Sequence, residues 1–164
     1  MSAPGPILGL DLGTRRIGLA VSDPDCRLAL PAGCLESQGM EKDLQALCAL
    51  VEKREIARIV VGLPLHLDGR VGPEAEAART FARGVAEATG LPVEMMDERW
   101  TTLEAERALR EMGSKRGGGA RAARRSRAKS SQRAQRRQRG DVDAVAATIL
   151  LRTYLERRRA SEAP

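Results

Sequence analysis

The feature that most constrains this chain is an aspartate placed where a charge is costly. Ile7-Leu8-Gly9-Leu10-Asp11-Leu12 is an apolar run that Asp11 interrupts, and after a Gly-Thr-Arg-Arg turn a second apolar run extends from Ile17 to Val21. Runs of this length, bounded by turn residues, read as two neighbouring buried strands. A carboxylate inside such a strand is strongly destabilising unless it is paired, hydrogen-bonded or bound to a metal. The pattern therefore puts a candidate site at the centre of a sheet, beside Arg15 and Arg16, and the rest of the chain should supply its partners.

Periodicity organises the remainder. Beyond the first two strands, residues 28–35, broken by Pro31, and the runs 58–63 and 92–96 read as strands. Met40, Leu44, Leu47 and Val51 fall at helical spacing over 40–54, and Ala78, Phe81, Ala82 and Val85 mark a helix begun near Pro73. Thr101-Thr102-Leu103-Glu104 resembles a capping box, opening a helix whose apolar face is Ala105, Ala108, Leu109 and Met112. A last helix is expected from about Asp141 to Arg158. A β-meander, then alternating β and α, then a closing helix predicts an α/β fold with a mixed sheet.

Two further acids converge on Asp11. At about 100° per residue, Asp143 shares one face of the last helix with Ala147, Leu150, Leu151 and Tyr154, an arc that Val142, Ala146 and Ile149 widen. Asp141 falls on the opposite side and reads as a first-turn acid favoured by the helix dipole. The inward direction of Asp143 has no such explanation and points to a metal-facing role. The third acid comes from Asp97-Glu98-Arg99, directly after a strand, where α/β sheets gather functional groups. Read alone, Asp97 could cap the next turn and Glu98 could pair with Arg99. Three carboxylates together suit a hard divalent cation, Mg²⁺ or Mn²⁺, and two such ions about 3.5–4 Å apart can activate water against a phosphodiester. His66, the single histidine, sits in a Gly/Pro-punctuated loop and reads as loop packing rather than a general base. Cys26, Cys34 and Cys48 lack CxxC spacing and read as free thiols of a reducing cytoplasm.

Charge supplies the partner. Residues 113–140 hold 11 of the 28 Lys+Arg, among them Lys115, Arg116, Arg124 and Arg125, and none of the 22 Asp+Glu. An acidic domain thus carries one intensely basic segment, which calls for a polyanion. Built from Ala, Arg, Gly, Ser and Gln, the segment is expected to be a disordered insertion in a single domain spanning residues 1–164, with helix formation on a polyanion as the alternative. Deleting residues 117–136 should weaken nucleic-acid binding and flatten its salt dependence. No apolar stretch is long enough to span a membrane and no signal-peptide pattern opens the chain, so a cytoplasmic location is expected.

Four strings, GLDLGTRRIGLAVSD (9–23), VVGLPLHLDGRVGPEAEAARTFA (60–82), DERWTTLEAERAL (97–109) and VDAVAATILLRTYL (142–155), resemble the YqgF/RuvX family in order and over nearly the whole chain. Its members are bacterial proteins described as Holliday-junction-resolvase-like and as nucleases maturing the 5′ end of pre-16S ribosomal RNA. The resemblance implies an RNase H-like fold, with a five-stranded mixed sheet flanked by helices, and a metal-dependent nuclease site of Asp11, Glu98 and Asp143. It leaves Asp97 open, gives Thr101 and Thr102 a role in orienting Glu98, and gives Arg15 and Arg16 a phosphate. Trp100 stands where the family usually has a smaller or aliphatic residue, and the basic segment is longer than the family's. The expected substrate is structured RNA, with a four-way DNA junction as the alternative; a junction would call for a homodimer.

Two other readings stay open. Asp-Leu-Gly-Thr after a strand also resembles the phosphate-binding turn of actin-like and sugar-kinase ATPases, which need two such domains. A non-catalytic ribosome-assembly factor would use the basic segment alone, and the three acids speak against it, since unmetallated acids hinder polyanion binding.

Overall fold

In the computed structural model, residues 5–66, 68–99 and 130–162 are described, with the backbone alone for residues 130–141. The chain runs β1 (Ile7–Leu12), β2 (Arg16–Ser22), β3 (Ala29–Glu36), α1 (Met40–Lys53), β4 (Arg58–Leu63), α2 (Pro73–Thr89), β5 (Val93–Asp97) and α3 (Ser130–Glu162). The five strands form one sheet in the order β3-β2-β1-β4-β5. β1 pairs antiparallel with β2 and parallel with β4, so the sheet is mixed, as expected. Pro31 is tolerated because β3 is an edge strand, and the β2–β3 register shifts between Gly18 and Ala20 to admit it.

Alternation along β1 sorts the layers. Leu8 and Leu10 join Leu47 and Val51 of α1 and Phe81, Ala82 and Val85 of α2 in one core. Ile7 lies on the other face, in a second core with Val60, Ala147, Leu150, Leu151 and Leu155. By the two-residue period of a strand, Gly9 and Asp11 share that second face. Helix α2 begins on Pro73 and stops where Gly90 turns left-handed at φ 68°, a conformation cheap only for glycine. No helix among the described residues is long and apolar enough to cross a membrane.

Helix α3 corrects two expectations. It starts at Ser130 rather than near Asp141, so residues 130–140 of the basic segment are helical and Asp141 is an interior position, not a first-turn acid. Val142 is 67% exposed, so the buried arc is narrower than the sequence pattern implied. An Arg- and Gln-rich stretch without Pro has fair helix propensity, and joining an anchored helix removes its nucleation cost. The capping box at Thr101 with its helix, Trp100, and the basic residues of 113–129 lie outside the described residues.

Candidate active site

Asp11 sits on β1 between two glycines. Gly18 of β2 is its direct partner in the ladder. The β1–β4 pairing reaches Leu10–Val61, so the next residue of β4, Gly62, flanks Asp11 on the other side. A Cβ on Gly62 would strike the Glu98 carboxylate, and one on Gly18 would strike the Asp143 carbonyl oxygen. At Gly9, a Cβ would lie 3.0 Å from that of Leu151. Three side-chain-free positions thus let Glu98 and α3 approach the sheet closely around one carboxylate, which is why strand glycines often mark close approach.

Glu98 is delivered by the end of β5. Its N–H donates to the Leu63 carbonyl at 3.1 Å, carrying the β4–β5 ladder one residue past the strand. The side chain then lies over Gly62 and hydrogen-bonds Asp11. Burial, followed by the charge and hydrogen bond of Asp11 and the charge of Asp97, pushes the Glu98 carboxyl up to about 8. Asp11 is also raised, by burial first and by the charge of Asp143, against the lowering effect of its bond to Glu98. The two shifts describe one pair sharing a proton, which Glu98 donates to the Asp11 carboxylate. Two half-buried carboxyls in contact cannot both ionise cheaply without a cation.

Asp143 reaches the same face but has another partner. Arg16 Nη1 lies 3.6 Å from its Oδ2, and both side chains are partly exposed. The inward orientation read from helix geometry holds to the extent that its charge is felt by Asp11. Among the described residues, however, no group of three or more His, Cys, Asp or Glu gathers tightly enough to hold a metal ion. The structure therefore brings Asp11 and Glu98 together and leaves Asp143 at the margin, ion-paired. The donors of the central pair are all carboxylate oxygens, the chemistry of a hard divalent cation rather than zinc.

The neighbouring residues divide clearly. Asp97 is engaged by Arg99, whose Nε reaches both carboxylate oxygens at 3.0 and 2.9 Å and whose Nη2 reaches Oδ2 at 2.6 Å. These bonds hold the Asp97 carboxyl below its ordinary range. Of the pairings open in the sequence, Arg99 takes Asp97, which frees the Glu98 side chain to turn towards Asp11. Arg15 is exposed in the β1–β2 turn, whose Gly13 N–H donates to the Arg16 carbonyl at 2.8 Å. His66 is exposed in the β4–α2 loop. Thr101, Thr102, Lys115, Arg116, Arg124 and Arg125 lie outside the described residues. Sequence reasoning misses Gly18 and Gly62. A glycine within an apolar strand is the available signal, and the pattern of the chain marks Gly62 only as punctuation of the loop after it.

A mixed sheet in this order, with two carboxyls meeting over its central strand, defines an RNase H-like α/β domain. Thermus thermophilus RuvC, solved in complex with a Holliday junction substrate, matches this fold at a TM-score of 0.56, with 14% identity over 94% of this chain and 96% of RuvC. The family described as "RuvX: Holliday junction resolvase" matches residues 5–157. A relative from Anaeromyxobacter sp. (strain Fw109-5), named "Putative pre-16S rRNA nuclease", is 42% identical over 153 residues, covering 93% of this chain and 98% of the relative. One of the same name from Chloroflexus aurantiacus is 38% identical over 155 residues, covering 94% and 89%. The chain belongs to the RuvX family.

Proposed function

We propose that this protein is a metal-dependent nuclease that hydrolyses phosphodiester bonds of structured RNA, in 5′-end maturation of pre-16S ribosomal RNA in the cytoplasm. The observation that carries this reading is the half-buried Asp11–Glu98 pair, two carboxyls held together in a fold whose relatives are named as nucleases. Asp11 and Glu98 would hold Mg²⁺ or Mn²⁺, with Asp143 joining them when a substrate phosphate draws Arg16 away. When bound, such a cation supplies the positive charge that acidifies the attacking water and stabilises the leaving oxygen. To hold it, Asp11 and Glu98 would both have to be carboxylates, without the proton that Glu98 shares with Asp11 in the metal-free protein. Arg15 in the β1–β2 turn and Arg16 at the start of β2, beside the pair, orient the scissile phosphate.

The basic segment captures the polyanion, with Lys115, Arg116, Arg124 and Arg125 as phosphate contacts. Because α3 starts at Ser130, deleting residues 117–129 removes five of the cations and leaves that helix whole. Each phosphate that the protein no longer neutralises should reduce the slope of log K against log salt by about 0.7 on single strands. The deletion should therefore flatten the slope by up to about 3.5, measured by fluorescence anisotropy; an unchanged slope removes the capture role.

The deciding assay offers two end-labelled substrates side by side, an RNA with a ribosomal 5′ extension and a four-way DNA junction. Each is run with Mn²⁺, Mg²⁺ or EDTA. Metal-dependent cutting of RNA alone supports the proposal. Paired symmetric cuts in the junction would favour a resolvase working as a homodimer, the reading that the family description supports. Binding of either without cutting would favour a ribosome-assembly factor.

A further inference from the structure

A cavity of about 360 Å³ opens at the same strand ends as Asp11 and Glu98, but on the α1/α2 side of the sheet. Leu12, which follows Asp11, and Ile17 form its sheet wall, and Met40 of α1 and Phe81 of α2 close its sides. At its rim stand Ser37 and Glu74. Its volume is at the small end of ligand pockets, which run about 300–1,000 Å³, so it admits one ring system rather than a length of strand.

The charge of the cavity selects the occupant. Among the described residues no Lys or Arg lines it, so a phosphate has no cation to meet there. The two acids offer acceptors only. Asp43 is 4% exposed and its oxygens already accept from Ser37 Oγ at 2.6 Å and Gln38 N at 2.8 Å. The acceptor role therefore falls to Glu74, exposed in the first turn of α2. Apolar walls with an acceptor at the mouth suit a flat, neutral ring carrying N–H donors. Gly13 and Thr14 of the same cavity belong to the turn that carries Arg15 and leads into Arg16 of β2. A strand held by those arginines would cross the same strand ends, with Arg16 facing Asp143 on one side of the sheet and the cavity opening on the other.

We propose that this cavity receives one unstacked nucleobase from the nucleotide next to the bond that is cut. Single-stranded nucleic acid is commonly read this way, with a base splayed out and hydrogen-bonded on its edge. The inference rests on the nuclease reading for its placement beside the scissile phosphate. Glu74 then favours bases that donate N–H groups, and the phosphate contacts remain indifferent to sequence.

The test scans a single abasic site through the RNA strand and measures affinity by anisotropy, using the Asp11→Asn protein so that the strand survives. One position should show a loss of roughly 10- to 100-fold, the effect of losing one stacked base. Ala77→Leu adds bulk at the cavity from an exposed helical position and should abolish that position's effect; Glu74→Gln should shrink it. Uniform losses at every position, or a single-position loss that survives both substitutions, would overturn the proposal. Cleavage of the unmodified strand by the wild-type protein is scored separately. A wild type that binds one base here yet cuts nothing would remove the nuclease reading and leave the pocket standing.

Discussion

Asp11→Asn is expected to lower metal-dependent cleavage by about 100-fold or more while raising the thermal stability of the metal-free protein at pH 8. The activity loss follows from removing half of the central oxygen pair; even outer partners of a metal site cost about 10–100-fold when lost. The gain in stability follows from linkage. Glu98 and Asp11 both have raised carboxyls in the fold. A raised carboxyl contributes stability that is present below its ordinary pKa, 4.5 for Glu98, and is lost as pH rises through its folded value of about 8. The metal-free wild type therefore loses stability across that window, because the unfolded carboxyl ionises there while Glu98 in the fold must keep its proton or leave two anions in contact. Asn in place of Asp11 removes the charge and can donate to Glu98, so the window should narrow. The measurement is the difference in Tm between variant and wild type at pH 5.5 and 8 in EDTA, growing towards pH 8. Mn²⁺ should raise the wild-type Tm more at pH 8 than at pH 5.5, and the variant's Tm far less. A difference independent of pH would mean that the two carboxyls do not share a proton.

Much of this site is legible in the sequence because strand periodicity and burial act locally. Asp11 within an apolar run and Glu98 at a strand end both stand out from the apolar pattern alone. What is not legible is set by contacts distant in sequence. Glu98 and Arg99 are neighbours, and nothing local decides that Arg99 would take Asp97 instead. The start of α3 depends on an anchor that lies downstream: Ala147, Leu150 and Leu151 are fixed against the sheet, and a weakly helical basic stretch is carried along with them. Asp143 shows the limit of helix geometry. Periodicity places it on the sheet-facing side, but direction alone does not reveal that Arg16, on a strand far away in sequence, would hold it.

The two glycines beside Asp11 separate stability from function, and substituting each with alanine should give opposite phenotypes. At Gly18 the new Cβ meets backbone, the carbonyl of Asp143, which cannot rotate aside. Either α3 lifts from the sheet or β2 bends, and overpacking of this kind typically costs about 1–3 kcal/mol. At the upper end of that range, about 3 kcal/mol, Tm should fall by roughly 6–12 °C in a chain of this size. At Gly62 the new Cβ meets the far end of a flexible side chain, the Glu98 carboxylate. Glu98 can swing away at little cost, so Gly62→Ala should melt within a few degrees of wild type. The swing takes the carboxylate off Asp11, however, and cleavage should fall by about 10- to 100-fold, the range for disturbing the partners of a metal site. The pH effect on Tm should shrink in parallel, because the carboxyl pair no longer shares a proton. Thermal melts and single-turnover cleavage on both variants make the comparison. A Gly62→Ala protein that cuts at the wild-type rate would mean that the position of Glu98 over Gly62 does not matter to the chemistry, and the second carboxylate would have to be sought elsewhere.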